Sequence, residues 1–142
     1  MSEDDRWNYL LTLDDNLLKG GVILSEWCTF VIQEADIAFV SGANLASIVM
    51  AVSAMETYLR SESEGSSKTR LYELIEQSSI DESLKEDINK LRRYRNKWVH
   101  VDDPWDDNEL QKEPSKHQTE LEQMAFFAAK TLRRTIYENQ WV

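Results

Sequence analysis

Apolar residues recur at helical spacing in four long segments of this chain, and strand-like alternation never lasts for more than a few residues. The segments cover about residues 22–39, 42–60, 82–100 and 115–139. An apolar stripe at helical spacing needs a second element to cover it. The pattern therefore predicts an all-α fold, an antiparallel bundle of four long helices with short helices added to it.

Residues typical of helix ends separate the stripes. Ser41 is a predicted N-cap for the second long helix, and Ser79 to Glu82 has capping-box spacing ahead of the third. Pro104 disfavours helical geometry in the residue before it, so the third helix should end soon after His100. A loop is then expected as far as about Pro114.

Two shorter elements complete the expected set. A weaker helical pattern at about residues 7–18 precedes the first long helix, and a short helix is expected at residues 69–77. Residues 61–67 have the composition of a solvated connection.

The chain is long enough for one domain with a substantial core. Its 142 residues include two prolines and four glycines, which suits a single domain over residues 1–142 with its core at about 22–139. A single cysteine, Cys28, excludes a disulfide framework or a cysteine-rich zinc site within one chain. Such cysteine usage suits a reducing cytoplasm, where we expect the protein to be. The acidic start is followed by no long apolar run, so we expect no signal peptide and no membrane span. We also expect no cofactor.

Charge is distributed unevenly along the chain. The formal net charge of −10 argues against broad nucleic-acid binding, which needs an excess of cations. Basic residues nevertheless cluster just before His100: Lys85, Lys90, Arg92, Arg93, Arg95 and Lys97. Acidic residues follow at once: Asp102, Asp103, Asp106, Asp107 and Glu109. Contact with RNA is therefore expected only at a local patch.

Three of the long helices each place one charged residue on their apolar stripe. Arg95, Glu56 and Glu34 fall in the middle of the stripes of the third, second and first long helix, at about 100° per residue. Desolvating an isolated charge is costly, so these charges should find one another. The spacing predicts that Arg95 pairs with Glu56, Glu34 or both, either to set the helix register or to hold the guanidinium ready for phosphate.

Inward glutamates in a helical bundle also raise the question of a di-iron carboxylate site. Such a site needs Glu-x-x-His pairs on two helices. Lys97 stands three residues before His100, and Pro114 stands three before His117, so this ligand pattern is missing. We expect no bound metal.

Arg95 and His100 combine a permanent cation suited to phosphate with a side chain that titrates near neutrality. Five residues of helix turn His100 roughly 140° away from Arg95. A common site therefore needs either an unwound helix end or a second chain. A symmetric dimer packed along this helix would bring two arginines and two histidines into one cleft.

The run Arg95-Asn96-Lys97-Trp98-Val99-His100 resembles the motif of the HEPN domains, small helical bundles found in prokaryotic defence and toxin systems. Their signature is an arginine, usually followed by a polar residue such as asparagine, and a histidine four to six residues after the arginine. The upstream run Leu71 to Glu76 is similar to that family's usual approach to the motif. The likeness covers about residues 22–137.

The resemblance implies a metal-independent endoribonuclease that works as a homodimer and is part of a toxin–antitoxin or phage-defence system. His100 would act as general base or acid, Arg95 would stabilise charge on the reacting phosphate, and Asn96 would orient either partner. Arg93 and Lys97 share the polar, cationic face of His100 and are candidate RNA contacts.

The family also contains members without catalytic activity. The alternative for this chain is a non-catalytic, dimeric helical module that binds a protein partner in such a system. The acidic segment after His100 would repel phosphate, and it is suited to docking a basic partner such as a cognate antitoxin.

The other candidate residues receive no catalytic role. His117 is expected at the surface near a helix start. Trp27 and Trp98 fit core or interface stripes, which leaves Trp105, in the acidic loop, as the plausible base-stacking residue.

Overall fold

A computed structural model of the protein describes residues 1–105 and 108–141, and for residues 108 and 109 the backbone alone. These residues form seven α-helices, which confirms the all-α prediction. In chain order they are α1 (Glu3–Leu17), α2 (Glu26–Val40), α3 (Asn44–Ser61), α4 (Leu71–Gln77), α5 (Glu82–Val99), α6 (Asn108–Lys112) and α7 (Pro114–Ile136). Asp106 and Asp107 of the predicted acidic segment lie outside the described residues, as does the side chain of Glu109.

Helix α3 lies at the centre of the fold. It packs against α2, α4, α5 and α7, and its buried side chains face in several directions. Ala51 and Ala54 are almost fully buried and let neighbouring helices approach closely, while Ile48, Val52 and Met55 fill the space between them. Removing a buried side chain such as that of Met55 would cost about 2–5 kcal/mol, so this helix contributes much of the core.

Helix α1 is longer than its weak sequence pattern suggests. It spans 15 residues, as many as α2, and it begins with a capping box in which Ser2 and Asp5 exchange hydrogen bonds. Leu10 and Leu13 are buried in the common core, and α1 packs on α2 and α7. Five of the described helices are therefore long rather than four, and the core extends to residues before 22.

Several helix boundaries differ from the predicted ones. Ser41 does not cap α3; it ends α2, and Gly42 then makes the turn with φ of 83°, a conformation that favours glycine. The side chain of Asp81, rather than that of Ser79, caps α5 by accepting a hydrogen bond from the Leu84 N–H at 2.8 Å. Helix α6 lies within the stretch predicted to be a loop.

The apolar face that α2 buries is not the predicted one. Cys28, Ile32, Ala35 and Phe39 point into the core, whereas helical spacing predicts a buried face of Ile23, Trp27, Phe30, Val31, Ile37 and Ala38. Of that predicted face, Val31 and Ala38 are half-buried and the others are exposed. The exposed apolar side chains are Ile23, Trp27, Phe30 and Ile37. Because α2 is apolar on almost every side, its spacing alone does not select a face.

A buried ion cluster joins α1, α2 and α7. Arg133 of α7 forms ion pairs with Asp14 of α1 and with Asp36 of α2, and the Tyr137 hydroxyl donates to Asp14 at 2.6 Å. Burying the α2 face that contains Cys28 also brings Asp36 to this arginine. The charges that meet in the core are therefore these, and not the three predicted from the apolar stripes.

The segment between α1 and α2 meets the end of the described chain outside the bundle. Gly21 and Trp141 exchange backbone hydrogen bonds of 2.7 and 2.9 Å in an isolated antiparallel bridge. The side-chain oxygen of Gln140 accepts from the N–H groups of Lys19 and Gly20. The segment between α1 and α2 is thereby fixed to the end of the chain. Within the described chain, no helix combines the length and apolar character that crossing a membrane requires.

Candidate functional site

The candidate site lies on the last two turns of α5. Leu84, Ile88 and Leu91 are buried, as their spacing predicts, and they anchor the first part of the helix to the core. Beyond Leu91 the same stripe continues with Arg95 and Trp98, which are only half-buried. The end of α5 therefore emerges at the surface and presents its side chains there.

Asn96 holds the Arg95 guanidinium. The Nε and Nη2 atoms of Arg95 both donate to the Asn96 Oδ1, at 3.1 and 2.8 Å. Nη1 makes no hydrogen bond with a described residue, and no carboxylate of the described chain lies within 4 Å of the guanidinium. The cation is oriented by a neutral amide and keeps its charge available for an anion.

The predicted pairing of Arg95 with Glu56 or Glu34 is wrong. Glu56 lies 3.8 Å from Arg60, one turn further along α3, so it has a nearer cation on its own helix. Glu34 lies on the outward side of α2, and α2 makes no contact with α5. Although α3 packs against α5, neither glutamate lies within ion-pair distance of the guanidinium.

Two further arginines lie beside Arg95. Arg92 donates its Nε to the Asn89 side chain at 3.1 Å, and its guanidinium lies 6.0 Å from the Tyr72 ring centre. Burial, followed by repulsion from Arg93 and Arg95, lowers the pKa of Arg92 below its ordinary value. Arg93 and Arg95 are thus close enough to repel the Arg92 guanidinium, and a bound anion would relieve that repulsion.

The predicted RNA contacts differ in their surroundings. Arg93 is exposed and forms no ion pair with the described residues. Lys97 lies 3.9 Å from Glu120 of α7, and its Nζ lies 5.8 and 5.7 Å from the ring centres of Tyr94 and Trp98. Arg93 is therefore the more available cation, whereas Lys97 also links α5 to α7.

His100 is the C-cap residue of α5. Its backbone N–H still donates to the Asn96 carbonyl at 3.0 Å, but its φ of −121° and ψ of 69° leave the helical region. The imidazole is exposed and lies between two exposed valines, Val99 and Val101. Because the helix remains intact through Val99, the side chains of Arg95 and His100 keep different directions on one chain.

The described acidic residues next to His100 form no hydrogen bond with its imidazole. Asp102 and Asp103 are exposed, and the Asp103 carboxylate accepts from the Trp105 N–H at 3.1 Å. Trp105 exposes 88% of its surface. An open indole beside the motif is compatible with base stacking, although Asp103 brings negative charge next to it.

Beneath the end of α5 lies an aromatic cluster that was not predicted from the sequence. The ring centres of Tyr94 and Trp98 are 6.5 Å apart, and His117 of α7 packs edge-on against Trp98 at 6.3 Å. Burial raises the pKa of Tyr94 to about 12; among its neighbours, Trp98 lowers this pKa and Glu120 raises it. The i,i+4 spacing of Tyr94 and Trp98 signals that they share a face.

The expectation that His117 is a surface residue is wrong. Only 9% of its surface is exposed, because the first turn of α7 lays it against Trp98. This contact positions α7 under the candidate site. Among the described residues, histidine, cysteine, aspartate and glutamate form no group of three that could hold a metal ion.

The fold and the site together define an all-helical protein with an arginine-rich helix that ends in an exposed histidine. Comparison of the chain with protein-family models, with curated proteins and with solved structures finds no match.

Proposed function

We propose that this protein is a metal-independent endoribonuclease of the HEPN type. In this proposal it is cytoplasmic and acts either as the toxin of a toxin–antitoxin system or as a phage-defence component. The observation that carries the proposal is the Arg95 guanidinium, oriented by Asn96 at 2.8 and 3.1 Å and paired with no carboxylate of the described chain. Arg92 and Arg93 add positive charge beside it. A phosphate group is the ligand that such a set of arginines best accommodates.

In the proposed reaction, the His100 imidazole removes the proton from an RNA 2′-hydroxyl. The 2′ oxygen forms a bond to the adjacent phosphorus, and the bond from phosphorus to the 5′ oxygen breaks. Arg95 donates hydrogen bonds to the non-bridging oxygens as they gain charge. A second histidine gives a proton to the departing 5′ oxygen, which yields a 2′,3′-cyclic phosphate and a 5′-hydroxyl.

The need for two proton-transfer groups makes the proposed site a composite of two chains. The first candidate histidine is His100, and the other histidine of the chain, His117, is buried against Trp98. His100 of a second copy would supply the missing group. The different directions of Arg95 and His100 along an intact helix favour the same arrangement.

The test compares RNA cleavage in EDTA by the wild type, Arg95→Ala and His100→Asn. Both substitutions should lower the cleavage rate by at least about a hundredfold, the scale of a lost proton-transfer or charge-stabilising group. Arg70→Ala is the matched control, because Arg70 is exposed and lies at the start of α4. Cleavage that needs a metal, or that survives both substitutions, contradicts the proposal.

One observation favours the second candidate function, a non-catalytic dimeric interaction module. Ile23, Trp27, Phe30 and Ile37 form an exposed apolar stripe on α2 and the residues before it, with Glu34 among them. Large exposed apolar patches mark interaction surfaces. From Gly20 to Leu59 the sequence contains no lysine or arginine, so no cation interrupts the stripe.

A second copy of the chain is the occupant that this stripe fits. The four apolar side chains expose roughly 500 Å² together, given the usual area of large side chains. Two copies would bury roughly 1,000 Å² from these side chains alone, which reaches the lower limit for a specific interface. α2 and α5 do not pack against each other, so a dimer joined through α2 need not bring the two motif helices together. Dimerisation through α2 would therefore support the interaction module over the composite nuclease.

A further inference from the structure

A cavity of about 370 Å³ lies away from the candidate site, between the end of α3, the end of α4 and the turn after α7. Leu59, Leu74 and Ile80 form an apolar part of its lining. Its volume falls in the usual range for small-molecule sites. The cavity lies next to the start of α5, whereas Arg95 lies 13 residues further along, about 20 Å away at the helical rise.

Three carboxylates line the cavity, and no lysine, arginine or histidine does. Glu62 and Glu64 come from the segment after α3, and Glu138 follows α7. None of the three forms an ion pair within the described chain. The nearest arginines in sequence form their ion pairs with other carboxylates, Arg60 with Glu56 and Arg134 with Asp87. The charge of Arg134 still acts on Glu138, but it does not outweigh the effect of burial, which raises the pKa of Glu138.

The Tyr58 side chain provides an independent observation. Tyr58 lines the same cavity, only 5% of its surface is exposed, and its hydroxyl makes no hydrogen bond with a described residue. Burial, followed by the charges of Glu62 and Glu138, raises the pKa of Tyr58 to about 12. The phenol oxygen therefore lies in the field of two of the cavity carboxylates, with a lone pair available for a donor.

We infer that this cavity binds a protonated alkylamine, with its ammonium group between Glu62, Glu138 and the Tyr58 hydroxyl and its carbon chain against the leucines. An ammonium group has three donors and no acceptor, which matches two carboxylates and a phenol oxygen. The apolar lining suits methylene groups and gives a hydrated metal ion nothing to bind. The described residues also lack a carboxylate group of metal-binding geometry.

Two sources would supply this chemistry, a free polyamine or a lysine side chain of a partner protein. Calorimetric titrations with spermidine and with Nα-acetyl-lysine methylamide distinguish them, since the tighter ligand identifies the source. Butanol, which has no charge, and Mg²⁺, which has no carbon chain, are the control ligands. We expect saturable binding of an amine and at least about tenfold weaker binding of both controls.

Glu138→Gln should weaken amine binding about tenfold, because a charge-assisted hydrogen bond becomes a neutral one. Glu3→Gln is the matched control: it removes the same charge from the exposed first turn of α1 and should leave binding unchanged. Equal weakening by both substitutions, or Mg²⁺ binding as tight as that of the amine, would show general attraction to an acidic protein and overturn the inference.

Tyr58→Phe tests the hydroxyl and should weaken binding several-fold while it preserves the ring. Thermal unfolding of each variant checks that the fold is retained. If Tyr58→Phe does not fold, Glu62→Gln replaces it and should also weaken binding. Unchanged amine affinity in both glutamine variants of the cavity would refute the site. The inference is independent of the proposed nuclease activity, which resides at the other end of α5.

Discussion

Arg133 and Asp36 form a two-point ion pair inside the protein: the Nη1 and Nη2 atoms of the arginine each donate to one carboxylate oxygen of the aspartate at 2.9 Å. The Nε atom donates to Asp14 at 3.0 Å, so one guanidinium joins three helices. Burial lowers the pKa of Arg133, but the hydrogen bonds and charges of Asp36, with the charge of Asp14, outweigh that effect and raise it. The arginine therefore stays charged in the core.

Replacing Arg133 by leucine should destabilise the fold by about 3–5 kcal/mol, because two partly buried carboxylates would lose their cation. The free energy of unfolding from urea titrations measures the effect. Arg134→Leu is the matched control, since its pair with Asp87 is a quarter exposed and should cost below about 1 kcal/mol. A similar loss of stability in both variants would mean that the buried cluster contributes no more to the free energy of unfolding than the pair of Arg134 with Asp87.

Asn96→Ala should lower RNA cleavage about tenfold, since Arg95 would lose the acceptor that orients it. Asn89→Ala is the control, because Asn89 accepts a hydrogen bond from Arg92 and lies about two turns further from His100. The kinetic constants of both variants are compared on one RNA. Equal effects would assign the loss to general disturbance of α5 rather than to Arg95.

An excess of His100→Ala protein added to a fixed amount of wild type should lower RNA cleavage if the site is shared between two chains. A mixed dimer then contains only one of the two histidines that the composite site needs. The cleavage rate is measured with RNA in excess over both proteins and with increasing amounts of the variant. A rate that does not fall as the variant is added would exclude the shared site.

If the protein dimerises through α2, as the second candidate function requires, Trp27→Ser combined with Phe30→Ser should shift it from dimer to monomer. The double substitution removes most of the exposed apolar area of α2. Light scattering measures the molar mass over a range of concentrations. Trp105→Ser removes an even more exposed indole outside α2 and should leave the mass unchanged. A wild type that is monomeric at every concentration contradicts both the α2 dimer and the composite nuclease site.

Stability should fall as pH rises from about 10 to about 12. Burial raises the pKa of Tyr58 and of Tyr94 from 10.0 to about 12, so the folded protein retains protons that the unfolded chain releases. This stabilisation is complete below the pKa that the tyrosines have in the unfolded chain. It is lost as the pH rises through the pKa that they have in the folded protein. Tyr94→Phe should make this fall shallower, as measured by urea unfolding at several pH values. Tyr72 is exposed, so Tyr72→Phe should leave the fall unchanged. If stability falls as steeply with pH in Tyr94→Phe as in the wild type, the assignment of the fall to Tyr94 is contradicted.

Much of the site could be predicted from local sequence. The stripe of Leu84, Ile88 and Leu91 correctly oriented α5, and the proline after the motif correctly predicted a helix end close to His100. These features depend on neighbours in sequence, which helical spacing and backbone sterics specify. The contact of Asn96 with Arg95 lies between adjacent residues, although its geometry appears only in the structure.

The predictions that were wrong concerned contacts between residues far apart in the chain. Glu56 and Glu34 were expected beside Arg95, but the face that each helix buries depends on all the helices packed against it. For α2, which is apolar on almost every side, the buried face includes Cys28, Ile32 and Phe39, and it places Asp36 next to Arg133. Glu34 is then left on the outside.

The amino-acid sequence by itself determined that this protein is helical, where most of its helices lie, and that one helix carries a cluster of cations ending in Arg95 and His100. Periodicity and end signals act over a few residues, so they can be read without a partner. Only the tertiary structure decided which charges are buried together and which apolar stripe stays exposed. Those outcomes depend on contacts between segments far apart in the chain. A helix that packs one of its faces against a neighbour leaves another of its faces exposed.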